Sequence, residues 1–122
     1  MDGSEWLAAR RLAVVLGRVD PIRRMAQFDV HKLSRGRLAI DCQSDLLSHL
    51  GSRLVVPLVP KSVAPMPARR LNPIFEIGGV EHVMLTQFSA AIDRRQLGDV
   101  VTSLADRSFE ITGALDILIS GV

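Results

Sequence analysis

The sequence has few of the residues on which metal sites, disulfides and membrane spans depend. Cys42 is its single cysteine, which excludes an internal disulfide and fits a reducing, cytoplasmic compartment. No segment approaches the roughly 20 apolar residues that cross a bilayer. His31, His49 and His82 are scattered, and none has Cys or His at metal-ligand spacing. Gly78-Gly79 lacks the lysine and following helix of a phosphate-binding loop. We therefore expect no metal, no cofactor and no membrane contact.

Aromatic residues and lysines are also scarce. Aromatics make up 4% of the chain and Lys occurs twice, so there is no stacking platform for single-stranded nucleic acid. The pI of 9.3 suggests a nucleic-acid partner, but the charge is unevenly placed. Residues 1–24 carry five arginines and three acidic residues, whereas residues 25–122 carry ten basic and ten acidic residues. The larger part of the chain is neutral and gives no electrostatic footprint for DNA or RNA.

The sequence divides into an N-terminal extension, residues 1–24, and one domain, residues 25–122. In the extension, the apolar run Leu12–Leu16 is too short for a signal-peptide core, and acidic residues precede it. One interpretation is an amphipathic helix that ends before Asp20. The other, which we prefer, is that translation begins at Met25.

Extended segments dominate the first part of the domain. Residues 28–31 alternate in polarity, residues 37–42 have a β-branched centre, and residues 53–60 resemble a strand. Pro57 and Pro60 have no amide hydrogen, so the third segment is expected to end the sheet or lie at its edge.

A hairpin and a final helix are expected in the second part. Residues 61–70, rich in proline and arginine, predict a mobile loop. Residues 72–77 and 80–85 flank Gly78-Gly79, which suits a two-residue hairpin turn. Residues 90–97 indicate an extended or connecting piece, and residues 99–104 a helical turn.

The last helix is expected to begin at a cap provided by Asp106 or Ser108. Its apolar stripe comprises Ile111, Ala114, Leu115, Ile117 and Leu118. Gly113 weakens the helix by roughly 1 kcal/mol relative to alanine and would allow close packing against another helix.

Several short motifs occur in a familiar order. They are Gln27-Phe28-x-Val30, Arg37-Leu38-x-x-Asp41-x-Gln43-Ser44-Asp45, Arg53-x-Val55-x-Pro57-Leu58, Leu71-x-Pro73, Ile77-Gly78 and the ending Gly121-Val122. Each is weak, but their order, spacing and shared terminus resemble the CcdB family of toxin–antitoxin toxins over residues 25–122.

The resemblance implies a mainly β fold: an SH3-like β-barrel, as in CcdB and MazF, with a twisted antiparallel sheet, a small accessory sheet and a C-terminal α-helix. It implies a homodimer in which the two C-terminal helices lie together. It also implies a non-catalytic toxin that binds the A subunit of DNA gyrase and traps its cleaved DNA complex. A CcdA-like antitoxin would neutralise the toxin, and the pair would contact DNA only through the antitoxin when repressing its operon.

Family residues that contact gyrase map onto Leu46 and Leu47 and onto the last helix. The helix positions are Asp116, Ile119, Ser120, Gly121 and Val122, where the typical toxin has Asn, Phe and Trp at the first three. The Trp supplies an apolar contact and cation–π attraction that Ser cannot supply. Poisoning is therefore expected to be attenuated. Without the resemblance, Leu46, Leu47 and Ile119 would be interpreted as core residues.

The antitoxin site is expected at Lys61, Arg69 and Arg70, because the family antitoxin segment is acidic. Two other functions stay open. One is an inactive or retargeted family member that binds antitoxin and tunes operon repression. The other is a MazF-like ribonuclease, which would need groups such as His31, Arg35 and Arg37 to face one pocket.

Overall fold

The computed structural model describes residues 25–121, and the expected extension and Val122 lie outside this range. The described residues form seven strands, one α-helix and several single 3₁₀ turns. The strands are β1 (Asp29–Lys32), β2 (Leu38–Asp41), β3 (Ser52–Pro60), β4 (Ile74–Ile77), β5 (Val80–Met84), β6 (Ala90–Asp93) and β7 (Val100–Ser103), and the helix is α1 (Ser108–Ser120).

Strand β3 pairs with three other strands of the sheet, β2, β5 and β6. The strand order is β4-β5-β3-β2-β1-β7, every pair is antiparallel, and β6 pairs with β3 off this path. The first half of β3 pairs with β6 up to Val55, and its last part pairs with β5 from Leu58 onward. Because one strand changes partners along its length, the sheet curls into a half-barrel that carries the C-terminal helix. The predicted fold class is confirmed.

The prediction that residues 53–60 end or edge the sheet is wrong, since β3 lies between β2 and β5. Pro57 falls where β6 has ended and β5 has not begun, and its carbonyl accepts the amide hydrogen of Leu85. Pro60 lies beyond the last β2 pair, Leu38 with Leu58. Each missing amide hydrogen therefore costs the sheet little, because no strand pairs there through that amide.

The predicted helical turn at 99–104 is also wrong. Residues 100–103 form β7, which pairs with β1. The ladder is extended at both ends by hydrogen bonds from Lys32 N to Asp99 O and from Leu104 N to Phe28 O. Pairing with a distant strand overrides local propensity here.

The helix begins at Ser108 without a side-chain cap from Asp106 or Ser108, contrary to expectation. A 3₁₀ turn at 105–107 runs directly into the helix, and the Ser108 amide donates to Ala105 O. The preceding turn thus satisfies an amide that a capping side chain would otherwise take. At the other end, Gly121 adopts φ 78° and its amide donates to Ile117 O at 2.9 Å, a left-handed cap.

Apolar side chains pack on both faces of the curled sheet. The larger cluster lies between the sheet and the helix and contains Phe28, Val30, Ile40, Cys42, Val56, Leu58, Phe75, Ile77, Met84, Leu104, Ile111 and Ala114. A smaller cluster contains Met25, Ala39, Val55 and Leu97. Gly78 and Gly79 form the expected hairpin turn with φ of 60° and 80°.

Candidate functional site

The C-terminal half of the helix leaves the core. Ile111 and Ala114 are fully buried, but Leu118 is 41% exposed and Ile119 is 82% exposed. Asp116 and Ser120 are also exposed. Only the first half of the predicted stripe is therefore core, and the second half presents apolar side chains to solvent.

Ser120 offers no free hydroxyl at this exposed end. Its Oγ donates to the carbonyl oxygen of Asp116 at 2.7 Å, one turn back along the helix. Gly121 follows as the left-handed cap, and Val122 lies outside the described residues. The end is thus a small aliphatic surface around Ile119 with no aromatic ring.

Leu46 and Leu47 lie on a 3₁₀ turn between β2 and β3. Leu46 is 87% exposed and Leu47 is 45% exposed, so the core interpretation of these residues is wrong, as it is for Ile119. Ser44 Oγ accepts the amide of Leu46 at 3.2 Å, and Asp45 Oδ1 accepts the amide of Gln27 at 2.8 Å. The turn is therefore fixed to the strand entry while its two leucines face outward.

Gln43 connects this turn to β3. Its Nε2 donates to Leu47 O at 2.9 Å, and its Oε1 accepts the amide of Leu54 at 3.0 Å. Leu50 and Leu54 are 39% and 37% exposed. We call Leu46, Leu47, Leu50 and Leu54 the leucine patch. Sequence reasoning missed its last two members, although Gln43 stood in a quoted motif.

The predicted gyrase residues lie on two different elements, the 3₁₀ turn at 45–47 and the C-terminal helix. No hydrogen bond within residues 25–121 joins the two. The helix packs against the turns at 86–88 and 105–107, whereas the leucine patch is fixed by Gln27 and Gln43.

The predicted antitoxin loop is exposed at all three cationic positions. Lys61 Nζ lies 3.9 Å from Glu81 Oε1, a half-exposed pair, and Arg69 and Arg70 are exposed. Val63 and Met66 in the same loop are 73% and 94% exposed. The loop therefore combines apolar and cationic side chains, and its apolar members were not anticipated.

Asn72 anchors the end of this loop. Its Oδ1 accepts the amide of Ala68 at 2.9 Å, and its Nδ2 donates to Met84 O at 3.0 Å and to Gln87 Oε1 at 2.8 Å. Thr86 Oγ1 donates to the carbonyl oxygen of Leu71. Arg69 and Arg70 thus lie just before the anchored residue Asn72, and Arg70 itself has a positive φ of 66°.

A buried polar cluster lies on the three neighbouring strands β1, β2 and β3. Arg53 and Asp41 are fully buried and joined by a salt bridge of 2.6 Å. Burial raises the pKa of Asp41, although the Arg53 hydrogen bonds oppose the rise. Burial likewise raises the pKa of nearby Asp29. His31 is 1% exposed and its Nδ1 donates to Gly98 O at 3.0 Å. Such groups hold strands together and are out of reach of a macromolecular substrate.

The three ribonuclease candidates do not face one pocket. His31 is buried, whereas Arg35 and Arg37 are exposed at the turn between β1 and β2. Arg37 donates to the backbone and side chain of Ser34. The arrangement provides no imidazole beside the two guanidinium groups on the surface.

The remaining reactive groups include a buried thiol and form no metal centre within residues 25–121. Burial raises the pKa of Cys42 to about 12, so the thiol stays protonated at neutral pH. No group of three His, Cys, Asp or Glu side chains in this range is placed to hold a metal ion. In the same range, no helix is both long and apolar enough to span a bilayer.

Comparison with known families identifies the family to which the chain belongs. The profile of the CcdB protein family matches residues 27–121. The chain belongs to the CcdB family of toxins. The match begins at Gln27, where the quoted motifs begin, and it leaves the extension outside.

Solved structures share the fold of this CcdB-family chain at low sequence identity. An endoribonuclease from a mycobacterial species superposes with a TM-score of 0.64 at 11% identity, over 77% of this chain and 89% of that one. A mycobacterial endoribonuclease in complex with its cognate antitoxin gives a TM-score of 0.60 at 12% identity, over 77% and 91% of the two chains. At this identity the similarity establishes the fold and not the chemistry.

Proposed function

We propose that this CcdB-family toxin acts by binding the A subunit of DNA gyrase and trapping its cleaved DNA complex, with attenuated potency. The observation that carries the proposal is the exposed end of the helix. A side chain such as Ile119, 82% exposed beyond the last buried turn, contributes nothing to the core and suits a contact with another protein. Leu46 and Leu47 supply a second apolar contact.

The attenuated potency follows from the residue at the end of the helix, Ser120. Ser120 donates its hydroxyl to the helix backbone and has no ring to fill a pocket on a partner. Aromatic anchors dominate the energetics of interfaces. We therefore infer weak affinity for a standard gyrase.

A twofold homodimer is part of the proposal. Phe109 on the helix is 90% exposed, and Val100 and Val101 on the edge strand β7 are 40% and 41% exposed. Exposed apolar side chains at a sheet edge and on a neighbouring helix favour self-association. The dimer would bring two helix ends to one target.

The partner that neutralises the toxin is a CcdA-like antitoxin with an acidic segment that folds on binding. Support comes from the loop at 61–70, where Val63 and Met66 stand beside Arg69 and Arg70. One structure of the same fold is described as bound to its cognate antitoxin. Operon repression would then occur through the antitoxin, in the cytoplasm.

An inactive or retargeted toxin is the second candidate, favoured by the absence of an aromatic ring at Ser120. A ribonuclease is less well supported, because His31 is buried and tied to Gly98. A gyrase poison would yield cleaved plasmid DNA and a ribonuclease would yield cleaved RNA, whereas an inactive or retargeted toxin would yield neither.

The test incubates the purified chain with gyrase and supercoiled plasmid, and separately with RNA. We expect a low yield of cleaved DNA that rises with toxin concentration, disappears with gyrase from resistant cells, and occurs without RNA cleavage. Plasmid that stays intact at every concentration would favour the retargeted toxin. RNA cleavage by a preparation free of contaminating nuclease would establish the enzyme.

A further inference from the structure

Strand β6 forms a free edge of the sheet within residues 25–121. It pairs with the first half of β3 and with no other strand in that range. In an antiparallel pair, successive residues direct their amide and carbonyl groups alternately toward the partner and away from it. Half of the backbone groups of β6 therefore face outward, and Ala90, Ala91 and Asp93 are exposed.

Two hydrogen bonds show which residues of β3 face β6. The carbonyl of Leu54 accepts the amide of Cys42 at 2.8 Å, so Leu54 is turned toward the β2 side. The carbonyl of Gly51, just before β3, accepts the amide of Arg94 at 2.9 Å, so Gly51 is turned toward the β6 side. Because the direction alternates, the odd-numbered residues of β3 bond to β6.

The same alternation identifies the outward groups of β6. Ala90 and Ile92 are the partners of odd-numbered residues of β3, so their amides and carbonyls bond to β3. The amides and carbonyls of Ala91 and Asp93 point the opposite way, to the free edge. An extended chain can complete this row of donors and acceptors as a further strand.

β6 lacks the features that usually prevent pairing at a sheet edge, which are lysine, proline or a bulge. Its sequence Ala90-Ala91-Ile92-Asp93 contains neither lysine nor proline, and its register with β3 is uninterrupted. Its one charged side chain, Asp93, is held by Arg95 at 2.9 Å. An edge left open in this way suits a partner in the shape of a strand.

The side chains beside the edge indicate the composition of that partner. Ala91 is paired with Leu54, so the two lie on one face, and Leu54 stays 37% exposed beside the small methyl group. Arg94 and Arg95 follow the strand, against one carboxylate at Asp93. The edge therefore suits a segment with apolar residues on the Leu54 side and acidic residues among the others.

We propose that β6 is a strand-addition site for an extended, acidic segment of a partner protein, which pairs antiparallel with Ala91 and Asp93. The partner's apolar residues lie opposite Ala91, next to Leu54. Because Leu54 belongs to the leucine patch, the added strand also shields that patch. The shielding rests on the proposed function, which makes Leu46 and Leu47 a gyrase contact, whereas the strand addition does not.

Amide hydrogen exchange of the full chain, followed by NMR, tests the addition at each residue. In the free chain, the amides of Ala91 and Asp93 should exchange quickly and those of Ala90 and Ile92 slowly. The probe is a synthetic peptide of about eight residues, alternating valine and glutamate and blocked at both ends. Saturating peptide should slow exchange at Ala91 and Asp93 about tenfold or more. Unchanged exchange at both amides would overturn the proposal.

Two N-methylated peptides test the antiparallel register. Residues directly opposite Ala91 and Asp93 in a hydrogen-bonded antiparallel pair lie on the same face as these residues and exchange both hydrogen bonds with them. With valine on the Leu54 side, the valine amides point at β6 and the glutamate amides point to solvent. N-methylation of the valines should therefore abolish the protection, and N-methylation of the glutamates should leave it. The reverse pattern would contradict antiparallel addition.

Asp93→Pro and Asp93→Ala separate the main chain from the side chain. Asp93 has φ −66°, which proline adopts, and its amide points away from β3, so both variants should fold. Both lose the carboxylate, but only proline loses the amide hydrogen. Peptide affinity should be about tenfold lower in Asp93→Pro than in Asp93→Ala.

Two results with these variants would count against the site. Equal peptide affinities would show that the Asp93 amide takes no part in binding. A sedimentation coefficient that Asp93→Pro lowers in the absence of peptide would show that a second copy occupies the edge, which contradicts a partner segment.

Shielding is tested separately with the gyrase A subunit. At a peptide concentration that saturates wild type and not Asp93→Pro, gyrase binding should weaken in wild type alone. Unchanged gyrase affinity of the saturated chain would refute the shielding and leave the strand addition intact. If no chain binds gyrase while the exchange responses hold, the proposed function fails and the strand addition stands.

Discussion

Arg53 and Asp41 form a fully buried ion pair that joins β3 to β2. Nε and Nη2 of the arginine both donate to Oδ2 of the aspartate, at 2.9 and 2.6 Å. Nη2 also donates to the carbonyl oxygen of Met25. The pair therefore fixes the start of the domain to the centre of its sheet.

Removing one partner of this pair should destabilise the domain strongly. Arg53→Met leaves the Asp41 carboxylate buried without its cation, and we expect a loss of about 3–5 kcal/mol in unfolding free energy. Urea denaturation followed by circular dichroism measures it. The control is Arg95→Gln, which breaks an exposed pair with Asp93 and should change stability little. Equal effects of the two changes would contradict a buried role.

Asp29 makes stability depend on pH in a predictable direction. Its Oδ2 accepts the amide of Ala26, but burial dominates and raises its pKa above the ordinary 3.8. A raised folded-state pKa means that the native protein binds the proton more tightly, so stability is lost as pH rises through that pKa. His31, Asp41 and Asp45 also act on this carboxyl.

We expect Asp29→Asn, which cannot ionise, to escape that loss. The unfolding free energy of the variant minus that of the wild type should increase from pH 3.8 upward and level off above the raised pKa. Urea titrations at a series of pH values measure the difference. A difference that stays constant, or that shrinks as pH rises, would show that burial does not control this group.

Local pattern predicted the hairpin and the helix well. Gly78 and Gly79 supply positive φ where the turn requires it, and the spacing of Ile111 and Ala114 places one helix face in the core. It failed where a distant strand decided the structure. Residues 100–103 are a strand because β1 offers a ladder, and Pro57 is central because two neighbouring strands meet beside it.

The exposure of the candidate site could not be predicted from the sequence. The resemblance to the CcdB family pointed to Leu46, Leu47 and the helix end, but hydrophobic residues are ordinarily assigned to the core, so their exposure came only from the structure. Leu54 joins the patch through Gln43, whose two side-chain hydrogen bonds no sequence spacing specifies. Leu50 joins it through its amide, which donates to Leu47 O. Whether these residues bind gyrase stays a prediction.

Gly113 tests the expected dimer. A Cβ at this position would meet nothing within 4 Å in the described chain, so Gly113→Ala should stabilise the isolated fold by about 1 kcal/mol. If two helices pack closely there in the dimer, the added methyl should raise the dissociation constant. Thermal unfolding and sedimentation measure the two effects. A wild-type chain that sediments as a monomer at micromolar concentration would contradict the dimer.

Arg69 and Arg70 test the antitoxin loop. Reversal of both charges should weaken binding of an acidic antitoxin segment about tenfold at low salt, mainly by slowing association, and added salt should reduce the difference. Arg35→Glu is the matched control, because Arg35 is exposed and has φ 65° against 66° for Arg70. Unchanged affinity after both reversals would remove the loop from the antitoxin site.

Ser120 is the position where a single change should restore potency. It is exposed, and within residues 25–121 its hydroxyl bonds to the helix backbone, so Ser120→Trp should fold normally and add an aromatic anchor beside Ile119. An interface tryptophan commonly contributes about 2 kcal/mol or more, and about 1.4 kcal/mol is tenfold in affinity.

In a dimer that engages gyrase with both helix ends, the gain of Ser120→Trp would occur twice. We therefore expect at least a tenfold increase in affinity for the gyrase A subunit, with more cleaved plasmid and stronger growth arrest. Ser34→Trp, at the exposed turn between β1 and β2, controls for the added ring and should gain nothing. Wild type that already traps cleaved DNA at nanomolar concentration would show that the ring is dispensable. A Ser120→Trp chain with no gain would mean that Asp116 and Ile119 have also moved this surface away from gyrase, and the retargeted toxin would become the better account.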